Sequence, residues 1–432
     1  MHRAAIVPAL AIVVGAVLAA CTESIPTGPL SAPPSVGASA APDPVREELT
    51  DLVASLEHTH PEPYHGVERE AFIEALDAYA AQLPDMTDDQ AVVGLMRVWA
   101  MLSREGRDGH QFALPVDEQA GPMLPIRVYE FAEGVYVTAA APPHEDLVGA
   151  RLTSIEGTPI DEVLAAVEPL VPRDGPATVP AFRPTLMLRT DVLAGLGIVD
   201  RAAVEIGVEL SDGAIRTATI EPMPFDTYVD WAGRFGALQL PGMDGVAYLA
   251  DPSPFSAELL DGGVAYLRYR FVAPPDLLQV SEWVADGRVE RLVLDLRQNP
   301  GGDNHSFARL LSLLTEFAAD HPRSLAVLTD RVTFSAASNL ATSIEAATDA
   351  VFIGEPMGGG LNFWDDVRWI RLDSLPVPMI VAISTRWWEF ADPDEVRLTI
   401  DPDVQLPVTA DDYFAGRDPG LDAALEAIGT RP

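Results

Sequence analysis

The segment Val289–Leu296 is dominated by aliphatic residues and stops abruptly at Arg297-Gln298-Asn299-Pro300-Gly301-Gly302. A short aliphatic run of this kind suits a strand buried on both faces, the situation of strands in a helix-covered parallel sheet. From Gly263 onward the chain keeps to that pattern. Val264–Tyr269, Leu325–Leu328, Val351–Gly354 and Met379–Ser384 read as strands, and Ser306–Phe317 and Ala336–Ala347 as helices. Strands alternating with helices predict an α/β layered fold. No internal repeat is present.

Two features of this region carry chemistry. The Gly301-Gly302 turn follows a buried strand and can present free backbone N–H groups. Thr333-Phe334-Ser335-Ala336-Ala337 places a serine between a strand and a helix that begins at Ala336. A serine there faces free N–H groups and the positive end of the helix dipole. Most serines at helix starts are simple caps. Here the glycine turn supplies a second source of N–H groups, so Gly301, Gly302 and Ala336 together form a candidate oxyanion hole beside a candidate nucleophile. Arg297 and Asn299 shape the turn.

Upstream the pattern differs. Residues 45–104 read as helical: Phe72, Ala75, Leu76 and Tyr79 form one apolar stripe, and Val92, Leu95, Met96, Trp99 and Leu102 another. Thr87-Asp88-Asp89-Gln90 has capping-box spacing. A glycine-punctuated loop, Glu105-Gly106-Arg107-Asp108-Gly109-His110, ends the helical part. Between Gln111 and Pro222 short β-type runs alternate with turns. Within them, Leu147–Ile160 resembles the strand-turn-strand of a PDZ-like peptide-binding unit.

The chain's start is an address. His2 and Arg3 precede an apolar stretch, and Leu18-Ala19-Ala20-Cys21 has the form of a bacterial lipobox. Cys21 is the only cysteine, so no internal disulfide is expected, and its expected role is lipidation. The predicted location is the outer face of the bacterial cytoplasmic membrane, or the periplasmic side. Pro-, Ser-, Ala- and Gly-rich sequence follows as a tether. The formal net charge of -37, from 65 acidic and 28 basic residues, excludes nucleic acid as a partner on charge grounds. All the basic residues are arginine, so no lysine can serve as a base.

Taken together, Leu294-Asp295-Leu296-Arg297-x-Asn299-x-Gly301-Gly302, Ser335-Ala336-Ala337 and Gly354-Glu355-Pro356-x-Gly358-Gly359 resemble the tail-specific, C-terminal-processing serine peptidase family. His60-Pro61-Glu62-Pro63-Tyr64, Asp108-Gly109-His110 and Asp401-Pro402-Asp403 are similar to its branch containing tricorn-type peptidases and the retinoid-binding repeats of photoreceptors. The resemblance implies a crotonase-like (ClpP-like) α/β peptidase core with an N-terminal helical domain and a small β-rich PDZ-like part. The expected division is 1–20 signal peptide, 21–44 tether, 45–110 helical domain, 111–225 PDZ-like region, 226–262 connecting segment and 263–432 peptidase core.

The implied activity is peptide-bond hydrolysis through an acyl-enzyme on Ser335. The family's lysine-based style is closed to a lysine-free chain. In its other style a histidine from an upstream segment is the base, and His110 matches that position, with His305 as rival. A neutral imidazole suits this role. The resemblance also implies a carboxylate shortly before the final Pro-Asp segment: Glu395, with Asp394 and Glu389 as alternatives. His58 and His60 lack a third-ligand pattern, so neither metal nor organic cofactor is expected. The expected partner is a peptide or protein substrate, and the oligomeric state stays open. The alternative reading is a catalytically inactive lipoprotein of this fold that binds peptides or hydrophobic ligands.

Overall fold

A computed structural model describes residues 43–116, 121–200, 203–232 and 253–429. The expected signal peptide, Cys21, most of the tether and much of the 226–262 segment lie outside these residues. The structure is a mixed α/β fold with several sheets.

The largest part of the C-terminal half is a six-stranded sheet in the spatial order 404–405, 351–354, 325–329, 291–295, 264–269, 255–260. Its neighbours are parallel except for the last, Phe255–Leu260, which pairs antiparallel with Val264–Tyr269. Gly262 and Gly263 make that turn, with φ of 78° and 74°, a conformation glycine adopts without a Cβ penalty. The sheet therefore begins before the boundary expected at 263.

The central strands explain the aliphatic runs. Leu292 and Leu294 pack into one apolar cluster with Leu310, Leu314, Leu340 and Ile344 from the helices Ala308–Asp320 and Ala336–Ala347. Val293 points the other way, into a cluster with Ile353, Ala424 and Ile428 against the C-terminal helix Pro419–Ala427. Successive side chains alternate faces, and both faces are covered, so the consecutive residues Leu292, Val293 and Leu294 are all apolar.

A second, antiparallel sheet takes the order 126–131, 134–140, 151–155, 204–209, 215–220. Helices Ile160–Val167, Thr178–Leu186 and Thr190–Gly195 interrupt it. They are too short to leave a strong periodic signal, and the sequence reading passed over them.

The N-terminal helices Pro44–Thr59, Arg69–Gln82 and Asp88–Trp99 pack on a small sheet in the order 113–115, 379–383, 368–372. The capping box at Thr87 forms in full, each side chain bonding the other residue's backbone. Trp99 donates from Nε1 to the Ala382 carbonyl at 3.1 Å. Strand Ala113–Pro115 pairs with Met379–Ile383, which draws the loop just before it, ending in His110, toward the C-terminal half. An antiparallel pair of strands, Asn362–Asp365 with Arg386–Glu389, lies beside it.

Candidate active site

The two glycine and serine motifs are tied together by main-chain bonds. Phe334 N–H donates to the Asn299 carbonyl at 3.0 Å, and the Thr333 hydroxyl to the Leu296 carbonyl at 2.9 Å. Buried Asp330 clamps the join, accepting the N–H groups of Gln298, Val332 and Thr333. Burial raises its carboxyl to about 6, and Glu355 adds to the rise.

Ser335 caps the helix Ala336–Ala347 with φ 51° and ψ -128°. A non-glycine residue held there is strained by roughly 1–3 kcal/mol, a feature of functional sites. Its side chain makes no capping bond, so the hydroxyl is not used as an ordinary N-cap. It donates instead to Asp365 Oδ2 at 3.3 Å. Ser335 is 2% exposed.

Gly301 presses directly on the serine. A Cβ added there would sit 2.6 Å from the Ser335 Cβ, which is why no larger residue fits. Its φ of 114° also favours glycine. One expectation needs correcting. The Gly301 N–H donates to Asn299 Oδ1 at 2.9 Å, so it is not free for an oxyanion. Among the described residues, the N–H groups of Gly302 and Ala336 have no acceptor.

His110 is brought to the same point. Its Nε2 lies 3.4 Å from Asp365 Oδ2, the oxygen that faces the serine. The ring is sandwiched between Phe334 and Phe363, with centroids at 4.9 and 5.5 Å. It is 1% exposed, and neither ring nitrogen has a well-aligned hydrogen-bond partner among the described residues. Burial pushes the imidazole below its ordinary value, while Asp174, Asp108 and Asp366 pull it upward. Burial thus favours the neutral ring, the form able to accept a proton.

Asp365 ends the strand Asn362–Asp365. Burial raises its carboxyl to about 7. The carboxylate facing His110 is thus Asp365 rather than Glu395. The Glu395 side chain pairs with Arg397 at 2.8 Å. Only its carbonyl reaches the histidine loop, accepting from Arg107 Nη2 at 2.8 Å. Asp394 is exposed. Glu389 is exposed and accepts from Trp387 Nε1 at 3.4 Å. His305 lies on the surface, 3.0 Å from Asp303.

Sequence reasoning missed two buried carboxylates, Asp365 and Asp174. Trp364-Asp365-Asp366 within an aromatic strand is a signal that could have found the first. Arg173-Asp174-Gly175-Pro176 reads as a surface turn and offers none.

His60, His65 and Asp108 bring possible metal-ligand atoms within 4.8 Å of one another. The hydrogen bonds argue against a metal there. His60 Nδ1 accepts the Glu62 N–H at 3.0 Å, which leaves the proton on Nε2, aimed at Asp108 Oδ2 at 3.0 Å. A ligating nitrogen needs a free lone pair, and this one has none. Asp108 also receives Gln111 Nε2 and the Ser384 hydroxyl, so His60 and Asp108 brace the loop that carries His110.

Fold and site define a mixed α/β protein with a serine, a histidine and an aspartate converging at a helix N-terminus. Solved structures share this fold. A point variant of CPAF matches with 13% identity over 90% of this chain and 96% of that one, at a TM-score of 0.63. Mature CPAF complexed with lactacystin matches with 15% identity over 90% of this chain and 99% of that one, at 0.59. The photosystem II D1 C-terminal processing protease also matches, with 15% identity over 83% and 93%, at 0.41. At these identities the likeness to the two CPAF structures establishes the fold alone. No family model and no curated protein matches the chain.

Proposed function

We propose that this chain is a serine-type peptidase in which Ser335 is the nucleophile. The observation that carries the reading is one oxygen, Asp365 Oδ2, placed 3.3 Å from Ser335 Oγ and 3.4 Å from His110 Nε2. As Ser335 Oγ attacks a peptide carbonyl, its proton passes to the Asp365–His110 pair. The pair titrates as a unit, so its apparent pKa belongs to neither residue alone. The oxyanion that forms is held by the N–H groups of Gly302 and Ala336. Collapse breaks the C–N bond, and the amine leaves with the proton. Water then hydrolyses the acyl-enzyme with the pair acting in the same order. Site geometry supports acyl transfer. The peptide as substrate rests on the motif resemblance and the shared fold.

Labelling by a fluorophosphonate probe tests this. The expected result is labelling of the intact protein, none in Ser335→Ala, and a rate lowered by roughly 10²-fold or more in His110→Ala. Labelling that persists in Ser335→Ala refutes the assignment.

The reading extends to architecture and place. The parallel sheet with helices on both faces supports a crotonase-like core, and the antiparallel sheet of residues 126–220 a PDZ-like part. No helix among the described residues is long and apolar enough to cross a membrane. The lipobox-like Leu18-Ala19-Ala20-Cys21 supports a lipid on Cys21 as the anchor. Cys21→Ser should move the protein from the membrane to the soluble fraction. A distribution unchanged by the substitution counts against the anchor.

A further inference from the structure

Behind the histidine loop lies a buried carboxylate that the mechanism above does not use. Asp174 is fully buried. Its Oδ1 accepts the Gly109 N–H at 2.5 Å, next in sequence to His110. Its Oδ2 accepts the Gly360 N–H at 3.2 Å. The backbone beside it reinforces the joint: Arg107 N–H donates to the Asp174 carbonyl at 2.8 Å, and Asp108 N–H to the Arg173 carbonyl at 3.2 Å. Thr178 fixes the carboxylate's own turn. Its hydroxyl accepts the N–H groups of Asp174 and Gly175, each at 3.1 Å, and donates to the Gly358 carbonyl at 2.5 Å.

The far end of this joint is the nucleophile. Gly359, between Gly358 and Gly360, donates its N–H to the Thr333 carbonyl at 3.1 Å. A Cβ on Gly359 would lie 3.0 Å from the Ser335 N. On the near side, a Cβ on Gly109 would meet Phe334 at 2.9 Å and Asp174 Oδ1 at 3.0 Å. One carboxylate thus spans the loop carrying the histidine and the loop packed on the serine.

We propose that Asp174 is a positioning residue of the peptidase centre, holding the His110 loop and the Gly358–Gly360 loop in register and sharing charge with the imidazole. The proposal rests on the serine-peptidase reading. Its electrostatic half has this basis. Four carboxylates act on or near the imidazole: Asp365 from the end of the strand Asn362–Asp365, Asp366 from the bend after it, Asp108 from the histidine's own loop, and Asp174 from the turn. Of the three that raise its basicity, Asp174 has the largest effect. Its own carboxyl is raised to about 7, by burial first, with His110 and the two N–H donors opposing. A proton entering the site near neutrality is therefore divided among Asp174, His110 and Asp365. With an amide at 174 it has fewer holders, and an imidazolium loses one of its counter-charges.

The test is the rate of fluorophosphonate labelling from pH 5 to 9 in the full chain, with melting temperature measured alongside. Asp174→Asn keeps the shape and should label about tenfold more slowly at pH 8, from misplacement. Its acidic limb should move to lower pH, which a purely structural defect does not produce. Thr178→Val loosens the same turn without removing the charge, so it should slow labelling while leaving the limb in place. A folded Asp174→Asn variant within about twofold of the parent rate, with the parent limb, overturns the proposal. If that variant does not fold, a Thr178→Val rate within about twofold of the parent overturns it. A parent protein that does not label at all instead sinks the peptidase reading, and this inference with it.

Discussion

Asp365 shows how far function and stability can pull apart at one residue. Its carboxylate is buried, raised to about 7, and contacts a hydroxyl and a neutral ring rather than a cation. Ionised, it lacks the pairing that a buried charge needs. Asp365→Asn keeps the volume and removes the charge. At pH 8 the variant should melt at a higher temperature than the parent and label at least roughly 10²-fold more slowly. Loss of both stability and labelling would mean that the residue serves packing alone. Ser335 tells the same story in backbone terms. Its φ of 51° is unfavourable for a side-chain-bearing residue, and the flanking Gly301 and Gly359 make the room it needs.

At the scale of elements, what was legible in the sequence followed from periodicity. The strand Val351–Gly354 and the helix Ala336–Ala347 have the bounds read from the sequence, because a strand covered on both faces shows as a short apolar run and a helix as a 3.6-residue repeat. The capping box at Thr87 was legible for a different reason: its spacing is local, and both its bonds fall within one turn. Ser335, His110 and the Gly301-Gly302 turn were legible as motifs. Their meeting point was not, because it depends on a carboxylate at the end of a short antiparallel strand. The antiparallel pair of Asn362–Asp365 and Arg386–Glu389 is rich in aromatic residues and reads as core. Gly301 was read as a donor because a glycine turn exposes N–H groups in general. The side chain that takes its N–H, Asn299, lies two residues away, close enough to have been foreseen. The short helices within the β-rich region fall below the length at which a 3.6-residue period declares itself.

For the whole molecule, the buried carboxylates set the response to pH. Asp174, Asp330 and Asp365 are raised from 3.8 to about 7, 6 and 7. Between about pH 4 and pH 7 the folded protein holds protons on these groups that the unfolded chain has released, so stability falls as pH rises across that interval. His110, with a lowered value, opposes this below its ordinary pKa, one group against three. Asp191 and Asp418, held low by Arg189 and Arg297 against the pull of burial, add stability above pH 4 that is lost below it. The net charge of -37 adds self-repulsion as acids ionise. The melting temperature should therefore be higher near pH 5 than at pH 8. Equal values, or a rise toward pH 8, would contradict the burial of these three groups. The wide separation in sequence of residues 110, 335 and 365 has a last consequence. A nascent chain still on the ribosome cannot assemble this site until the strands 362–365 and 386–389 have been translated and paired. Under the proposed function, the order of the codons keeps the site incomplete until most of the chain has been made.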